Sequence, residues 1–397
     1  MKHNWEYKKL GDICSIVGRI GFRGYTRDDL VEKGNGAISL SPSNIIDGKL
    51  NFDDKVSYLS WEKYYESPEI MLAEGDVVFT KTASIGKCAL VKKLPVETTL
   101  NPQLVVLKNI QCDSSYLTYT LQDKRFQEAV LSKKGGTSIP TISQAFLGSL
   151  PVPVPPIETQ KQIVAELDKI NETIEDCREL LRNLDALAQS LFYDTFGDPA
   201  INPKGWRIYK IKDICSVNPT KREIRIPTSS EISFLPMEDL PINARYFTPI
   251  KVKTLNEVQN SYTYFSGEDV LFAKVTPCFE NGKAGIPVNL INNIGFGSSE
   301  LFVLRPNFQI INREYIYSFI RTNHFVSEAI KKLSGTSGLR RVPRTVVENF
   351  QIPVPPLELQ EKFAERIERI EAQKEAVEST IAELQTLLDS RMDYWFN

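Results

Sequence analysis

One passage of this chain occurs twice. "LPVPVPPIETQKQIVAELDKI", starting at Leu150, is answered by "FQIPVPPLELQEKFAERIERI", starting at Phe350, and Gln160 and Gln360 stand 200 residues apart. A duplicated segment constrains the fold more than composition does, because each copy must form the same supersecondary unit. The likeness extends through both halves. "NWEYKKLGDICSI" from Asn4 matches "GWRIYKIKDICSV" from Gly205, and "GDVVFTK" (Gly75 to Lys81) matches "EDVLFAK" (Glu268 to Lys274). "QLVVLK" from Gln103 matches "ELFVLR" from Glu300, and "YLTYTLQDKRFQEAVLSKKGGTS" from Tyr116 matches "YIYSFIRTNHFVSEAIKKLSGTS" from Tyr315. The offsets stay between 193 and 201, the drift expected of one fold with loops of different length.

Within each copy, "DVVFT", "QLVVL", "DVLFA" and "LFVLR" are short apolar runs bounded by turn formers and predict strands. "SYLTYTLQDKRFQEAVL" and "EYIYSFIRTNHFVSEAI" carry helical spacing and predict one helix each, packed on those strands. "PVPVPP" cannot be helical, since each proline removes a donor and extends its predecessor. A closing proline suits a helix start, and Glu158 and Glu358 face the positive end of the dipole.

Beyond Pro156, apolar residues fall at Ile163, Leu167, Ile170, Ile174, Cys177, Leu181, Leu184, Ala188 and Leu191. Beyond Pro356 the same register holds Phe363, Ile367, Ile370, Lys374, Val377, Ile381, Leu384 and Leu388, with Lys374 the single break. Steps alternating three and four sustained over about four heptads are the condition for a coiled coil. A helix of about 38 residues spans on the order of 57 Å. Two helices each lying on its own domain are the alternative, which calls for a wider apolar stripe. The expected fold class is α+β: two similar α/β domains joined by two long helices forming an antiparallel coiled coil, with an internal pseudo-two-fold repeat. The expected boundaries are 1–154 for the first domain, 155–197 for its helix, 198–354 for the second domain and 355–397 for the distal helix.

A net charge of −2 conceals a division along the chain. Residues 157–196 and 357–397 carry −5 each, whereas 1–156 carry +2 and 197–356 carry +6. Acidic helices beside basic domains are the direction expected if the domains face phosphates. No apolar run approaches the roughly 20 residues of a membrane span, and "MKHNWEYKKL" lacks a signal-peptide core, so a cytoplasmic protein is expected. The six cysteines form no C-x-x-C pair and are expected to be buried, reduced thiols; with two histidines, a metal site or histidine base has little support.

No P-loop, H-E-x-x-H, G-x-S-x-G or methyltransferase tetrapeptide occurs. "GRIGFRG" from Gly18 and "GFGSS" from Gly295 only superficially resemble phosphate-binding loops, and "DDK" at Asp53 is half a nuclease pattern without its upstream acid. What remains is polar loops at matching places. "TKTASIGK" offers Lys81, Thr82 and Lys87, and "AKVTPCFENGK" offers Lys274, Thr276 and Lys283. "KKGGTSIPT" offers Thr137 and Ser138, and "LSGTSGLRRVPR" offers Thr336, Ser337, Arg340 and Arg341. These residue types reach phosphates and base edges, and arginine pairs bidentately with guanine. Ordinary solvated surface loops would contain them too. No catalytic or metal-ligating set is expected.

Two α/β units, each followed by P-V-P-P-[IL]-E-x-Q and a heptad helix, resemble the specificity subunit of type I restriction-modification systems over essentially the whole chain. The resemblance implies two target-recognition domains, each reading one half of a bipartite, asymmetric target in double-stranded DNA. It implies helices that act as a ruler and dock two methyltransferase subunits, with restriction subunits completing the enzyme. The chain itself would be non-catalytic and hold no cofactor; S-adenosylmethionine, ATP and Mg would belong to the partners. Other classes remain open: a self-contained DNA-recognising nuclease, which needs an acidic metal cluster, or a coiled-coil scaffold, which leaves the basic excess unexplained.

Overall fold

A computed structural model describes residues 5–19, 21–53, 56–132, 140–335 and 339–396. The chain forms two compact units, Met1–Asp176 with Thr380–Asn397, and Cys177–Ser379. Both unit boundaries fall inside the long helices Ile157–Phe196 and Leu357–Phe396, each of 40 residues. Each unit therefore contains one α/β domain, the start of the helix that follows it and the end of the other.

In the first unit the central sheet runs Ser15–Val17, Leu104–Lys108, Val77–Thr80, Cys88–Leu90, antiparallel throughout. A second sheet pairs Thr98–Leu100, Gly36–Leu40, Ser57–Ser60 and Leu30–Val31 in that order. The period of two decides which core each residue joins. Val77, Phe79, Val105 and Leu107 pack with Leu117 and Leu121 of the helical layer. Val78, Leu104 and Val106 pack with Ile38 and Leu40 of the second sheet. Burial on both faces is why "VVF" and "LVVL" are unbroken apolar runs.

The second unit repeats this arrangement. Its central sheet runs Cys215–Val217, Leu301–Pro306, Val270–Ala273, Ala284–Pro287, Tyr246–Phe247, and a second sheet contains Lys251–Thr254, Glu231–Leu235, Gly295–Gly297 and Thr263–Phe265. Again Val270, Phe272, Phe302 and Leu304 face one core and Leu271, Ala273, Leu301 and Val303 the other. The "GFG" of "GFGSS" is thus a strand, where a Cβ on Gly295 would stand 2.1 Å from the Phe265 ring. "GRIGFRG" is likewise structural at Arg19, which is buried and donates to the Leu100 carbonyl at 3.2 Å.

The expected single helix of each domain is two. Ser114–Gln122 is followed by Lys124–Leu131, and Arg313–Ile320 by Asn323–Ile330. Asp123 accepts from the Arg125 amide at 3.0 Å and Thr322 from the Phe325 amide at 3.3 Å, so each residue caps a new helix inside the apolar pattern. The proline stretch is a strand: Pro151–Val154 pairs antiparallel with Glu6–Lys9, and Gln351–Val354 with Arg207–Lys210. Such a two-stranded ribbon tolerates prolines at alternate positions, whose missing N–H groups point away from the partner. Pro156 and Pro356 sit one residue before the helices, their carbonyls accepting from Gln160 N at 3.1 Å and Gln360 N at 3.2 Å.

The heptad seam is present, with uneven burial. Ile163, Leu167, Ile170, Ile174, Leu184, Phe363, Ile367 and Ile370 are buried, whereas Leu181, Val377, Ile381, Leu384 and Leu388 are half-buried. In the second unit the helices are antiparallel: Asp185 meets Lys374 and Phe192 meets Phe363. Past Ala188 the seam continues through Phe192 and Phe196 rather than Leu191, which is half-buried. Lys374 does not break the packing. It is 7% exposed and its ammonium lies 2.7 Å from Asp185 and 3.2 Å from Glu371. Burial pulls its pKa down, but the Asp185 hydrogen bond and the two carboxylate charges outweigh this and leave it raised.

Candidate nucleic-acid interface

The duplicated glutamines hold the helices to the domains. Gln160 is 3% exposed; its Oε1 accepts from the Asp113 amide at 2.8 Å and its Nε2 donates to the Pro155 carbonyl at 2.7 Å. Gln360, fully buried, accepts from the Asn312 amide at 2.8 Å and donates to the carbonyls of Pro355 at 2.8 Å and Ile310 at 3.1 Å. A glutamine amide carries a separate acceptor and donor at the end of a side chain long enough to reach both groups, which fits the presence of this residue in both copies. Beside it, Tyr116 and Tyr315 donate to the carbonyls of Pro153 and Pro353. The last residue of the opposite helix closes the joint: Phe396 packs on Tyr116 at 5.8 Å and Phe196 on Tyr315 at 4.8 Å.

From each joint the central strands run to a set of three loops. In the first unit Ile142 N donates to Lys81 O at 3.0 Å, Ala83 N to Pro140 O at 3.0 Å and Lys81 N to Gln103 O at 2.9 Å. In the second, Val342 N donates to Lys274 O at 2.9 Å, Thr276 N to Arg340 O at 2.9 Å and Lys274 N to Glu300 O at 2.9 Å. These bonds equate Thr141 with Arg341 and Gln103 with Glu300. They bring together Lys81 and Thr82 in one unit, and Lys274, Thr276, Arg340 and Arg341 in the other. Thr137, Ser138, Thr336 and Ser337 lie outside the described residues, as do Asp54 and Lys55 of the "DDK" turn.

The candidate side chains differ in how committed they are. Thr82 Oγ1 and Thr141 Oγ1 are 2.9 Å apart. Lys87 donates to the Ile45 carbonyl at 3.2 Å, and Lys283 to those of Met237 at 2.8 Å and Glu238 at 3.1 Å, so both ammoniums tie their loop to the neighbouring sheet's connections. Lys274 donates to Ser299 O at 2.6 Å. Lys81 is half-buried, and desolvation lowers its pKa. Arg340 lies 3.6 Å from Glu280. Arg341 holds Glu300 with two bonds, Nε to Oε2 at 2.8 Å and Nη2 to Oε1 at 3.0 Å. That hydrogen bonding, opposed by partial burial, holds the Glu300 carboxyl below the usual carboxylate range. Gly335, at φ +123°, precedes these arginines where a Cβ would meet Leu339 O at 2.9 Å, so glycine is needed for the chain to fold back to Arg341.

Sequence reasoning missed Glu300, Gln103 and Thr141 as loop partners, and Phe196 and Phe396 as helix ends. The matching "YDTF" and "DYWF" endings were the available signal. All six cysteines are free; Cys14, Cys88 and Cys215 are buried, with burial pushing each thiol up to about 12, while Cys112, Cys177 and Cys278 are half-buried. Among the described residues no group of three or more His, Cys, Asp or Glu side chains could hold a metal ion. No helix among them is long and apolar enough to cross a membrane.

The family model for the type I restriction modification DNA specificity domain matches residues 2–183 and again 203–386. The chain belongs to that family. It is 37% identical over 168 residues to the type I restriction enzyme EcoAI specificity subunit of Escherichia coli, covering 42% of this chain and 28% of that protein. It thus spans little more than a quarter of the first curated relatives it matches, 28% and 26% of their lengths. The MjaIX specificity subunit of Methanocaldococcus jannaschii is 22% identical over 392 residues, covering 91% of this chain and 85% of that protein. A chain from a solved type I restriction-modification system shares the fold with a TM-score of 0.56 at 20% identity, covering 99% of this chain and 97% of that one. A crystallised S subunit from M. genitalium does so with a TM-score of 0.53 at 12% identity, covering 100% and 97%.

Proposed function

We propose that this chain is the DNA sequence-recognition subunit of a type I restriction-modification enzyme, each unit reading one half of a bipartite target. The observation that carries the reading is that two units with matching joints carry different side chains on matching loops. Equivalent joints suit two copies of one partner, and different loops suit two unlike half-sites. The partners are double-stranded DNA, two methyltransferase subunits docked on the long helices, and restriction subunits. The chain performs no catalysis and holds no cofactor; S-adenosylmethionine, ATP and Mg serve the partner subunits, and the assembly works in the cytoplasm.

The test is to co-express the chain with type I methyltransferase subunits, purify the assembly and map methylated adenines. The expected map is one bipartite, non-palindromic sequence, and exchanging the loops of one unit should change one half alone. Methyl transfer or cleavage by the purified chain by itself, or failure to assemble with those subunits, would overturn the reading.

A further inference from the structure

The Arg341–Glu300 pair is a charged element where the first unit has Thr141 and Gln103. Glu300 takes Arg341 side-on, through Nε at 2.8 Å and Nη2 at 3.0 Å. Of the five guanidinium N–H groups this engages two. The end-on pair, one N–H from Nη1 and one from Nη2, points away from the carboxylate, and the side chain is 42% exposed. Its backbone is fixed as well: Arg341 N donates to Ser334 O at 2.8 Å and Ser334 N to Arg341 O at 3.0 Å. The fork is thus held before any ligand arrives, which lowers the cost of ordering it on binding.

The carboxylate decides what the fork suits. A phosphate contact depends on net positive charge; Glu300, which also lies 4.0 Å from the Lys274 ammonium, offsets the charge at the fork itself, and its carboxylate would repel a phosphate placed there. A base edge is neutral, and two parallel N–H donors match guanine O6 and N7. We infer that Arg341 reads a guanine in the half-site of the second unit through its end-on N–H pair, with Glu300 as the positioning residue. The inference rests on the DNA-recognition reading above.

The experiment uses the chain assembled with its methyltransferase subunits, the wild-type methylation map supplying the duplex. Arg341→Ala and Arg341→Lys should both lose the guanine preference at a single position of one half-site by about tenfold or more, leaving the other half-site unchanged. Lysine keeps the charge without the fork, so R341K should retain the wild-type salt dependence. Glu300→Gln should weaken the same preference while the fold persists. 7-Deazaguanine at that position removes the N7 acceptor; it should weaken wild-type binding and have no further effect on R341A. Restoration of the wild-type map by R341K, or a recognised sequence without guanine in either half, would overturn the inference alone. A wild-type assembly that neither binds nor methylates DNA would instead overturn the proposed function, and this inference with it.

Discussion

Gln160 and Gln360 bind equivalent groups, a helix-capping residue's amide and the carbonyl of the first proline of a Pro-Pro pair, whereas Thr141 and Gln103 give way to Arg341 and Glu300 at the loops. A third comparison lies between these extremes. Lys108 pairs with Asp76 at 2.6 Å, and Arg305 pairs bidentately with Asp269 at 2.8 and 2.9 Å. Both aspartates also accept a backbone amide three residues before them, from Ala73 at 2.9 Å and Ser266 at 2.7 Å. Ion pairing of the strand ends is kept while the partner changes. Conservation between the copies thus declines from the helix joint towards the loops, as expected where packing is shared and ligands are not.

The joints should be most sensitive at the helix ends, and unequally so. Phe196 meets Tyr315, Phe363 and Phe192 at 4.8, 5.0 and 5.3 Å, while Phe396 meets Tyr116 at 5.8 Å. Phe196→Ala should destabilise the second unit by about 4 kcal/mol and Phe396→Ala the first by about 3 kcal/mol. Differential scanning calorimetry, with the two units followed as separate transitions, checks the order. Equal losses would mean that the aromatic cluster adds nothing beyond the Phe–Tyr contact.

The glutamines should follow. Gln360→Ala leaves the Asn312 amide and two carbonyls without their partner, Gln160→Ala one amide and one carbonyl. Losses of about 3 and about 2 kcal/mol are expected. Urea unfolding of both variants measures the difference, and a larger loss for Gln160→Ala would break the equivalence of the two joints.

Much of this arrangement was legible because it is periodic or duplicated. The unbroken apolar runs in "DVVF" and "DVLF" specify strands buried on both faces, and the three-four spacing from Ile163 specifies the helix seam. What escaped was encoded in single side chains whose partners are distant in sequence. Asp123 and Thr322 split helices whose apolar pattern runs on through them. Leu191 continues the heptad on paper, yet Phe192 takes the seam because Phe363 and Tyr315 meet it there. Lys374 reads as a defect until Asp185, 189 positions earlier, comes within 2.7 Å. The arginines of the second unit were visible, but Glu300, which holds Arg341 through two hydrogen bonds, was not.

Lys374 gives a test with an effect near zero at neutral pH. Lys374→Leu would complete the apolar seam and leaves Asp185 half-exposed, with Glu371 still 3.3 Å from Arg245. Removing one partner of a buried pair is costly when it strands the other charge; here Asp185 is left half-exposed and Glu371 keeps Arg245, so a change within about 1 kcal/mol is expected. The alkaline limb distinguishes the two proteins. The folded pKa of Lys374 is raised above the ordinary 10.5, so its contribution is complete below that value and is lost as pH rises through the folded pKa. The wild type should therefore lose more stability than K374L in that range, and parallel alkaline curves would show the pair to be inert.

The smallest effect is expected at a different contact between the long helices, in the first unit, and with the opposite pH dependence. Glu166 accepts from Arg391, with one bond of 3.0 Å, and from the Trp395 indole at 2.8 Å, tying the first long helix to the end of the second. The Arg391 hydrogen bond is the main cause holding its carboxyl below the ordinary 4.5, the Trp395 bond adds to it, and slight burial opposes both. A depressed folded pKa means stability that is present above about 4.5 and lost as pH falls through the folded value. With both side chains about a third exposed, solvent screening should keep the contribution below about 1 kcal/mol. Glu166→Gln keeps an oxygen for Trp395 but removes the charge, so the variant and the wild type should differ at pH 7 and converge near pH 3. Thermal melts of both proteins across that range measure the gap. A gap that widens on acidification would show that the Arg391 contact does not act through the Glu166 charge.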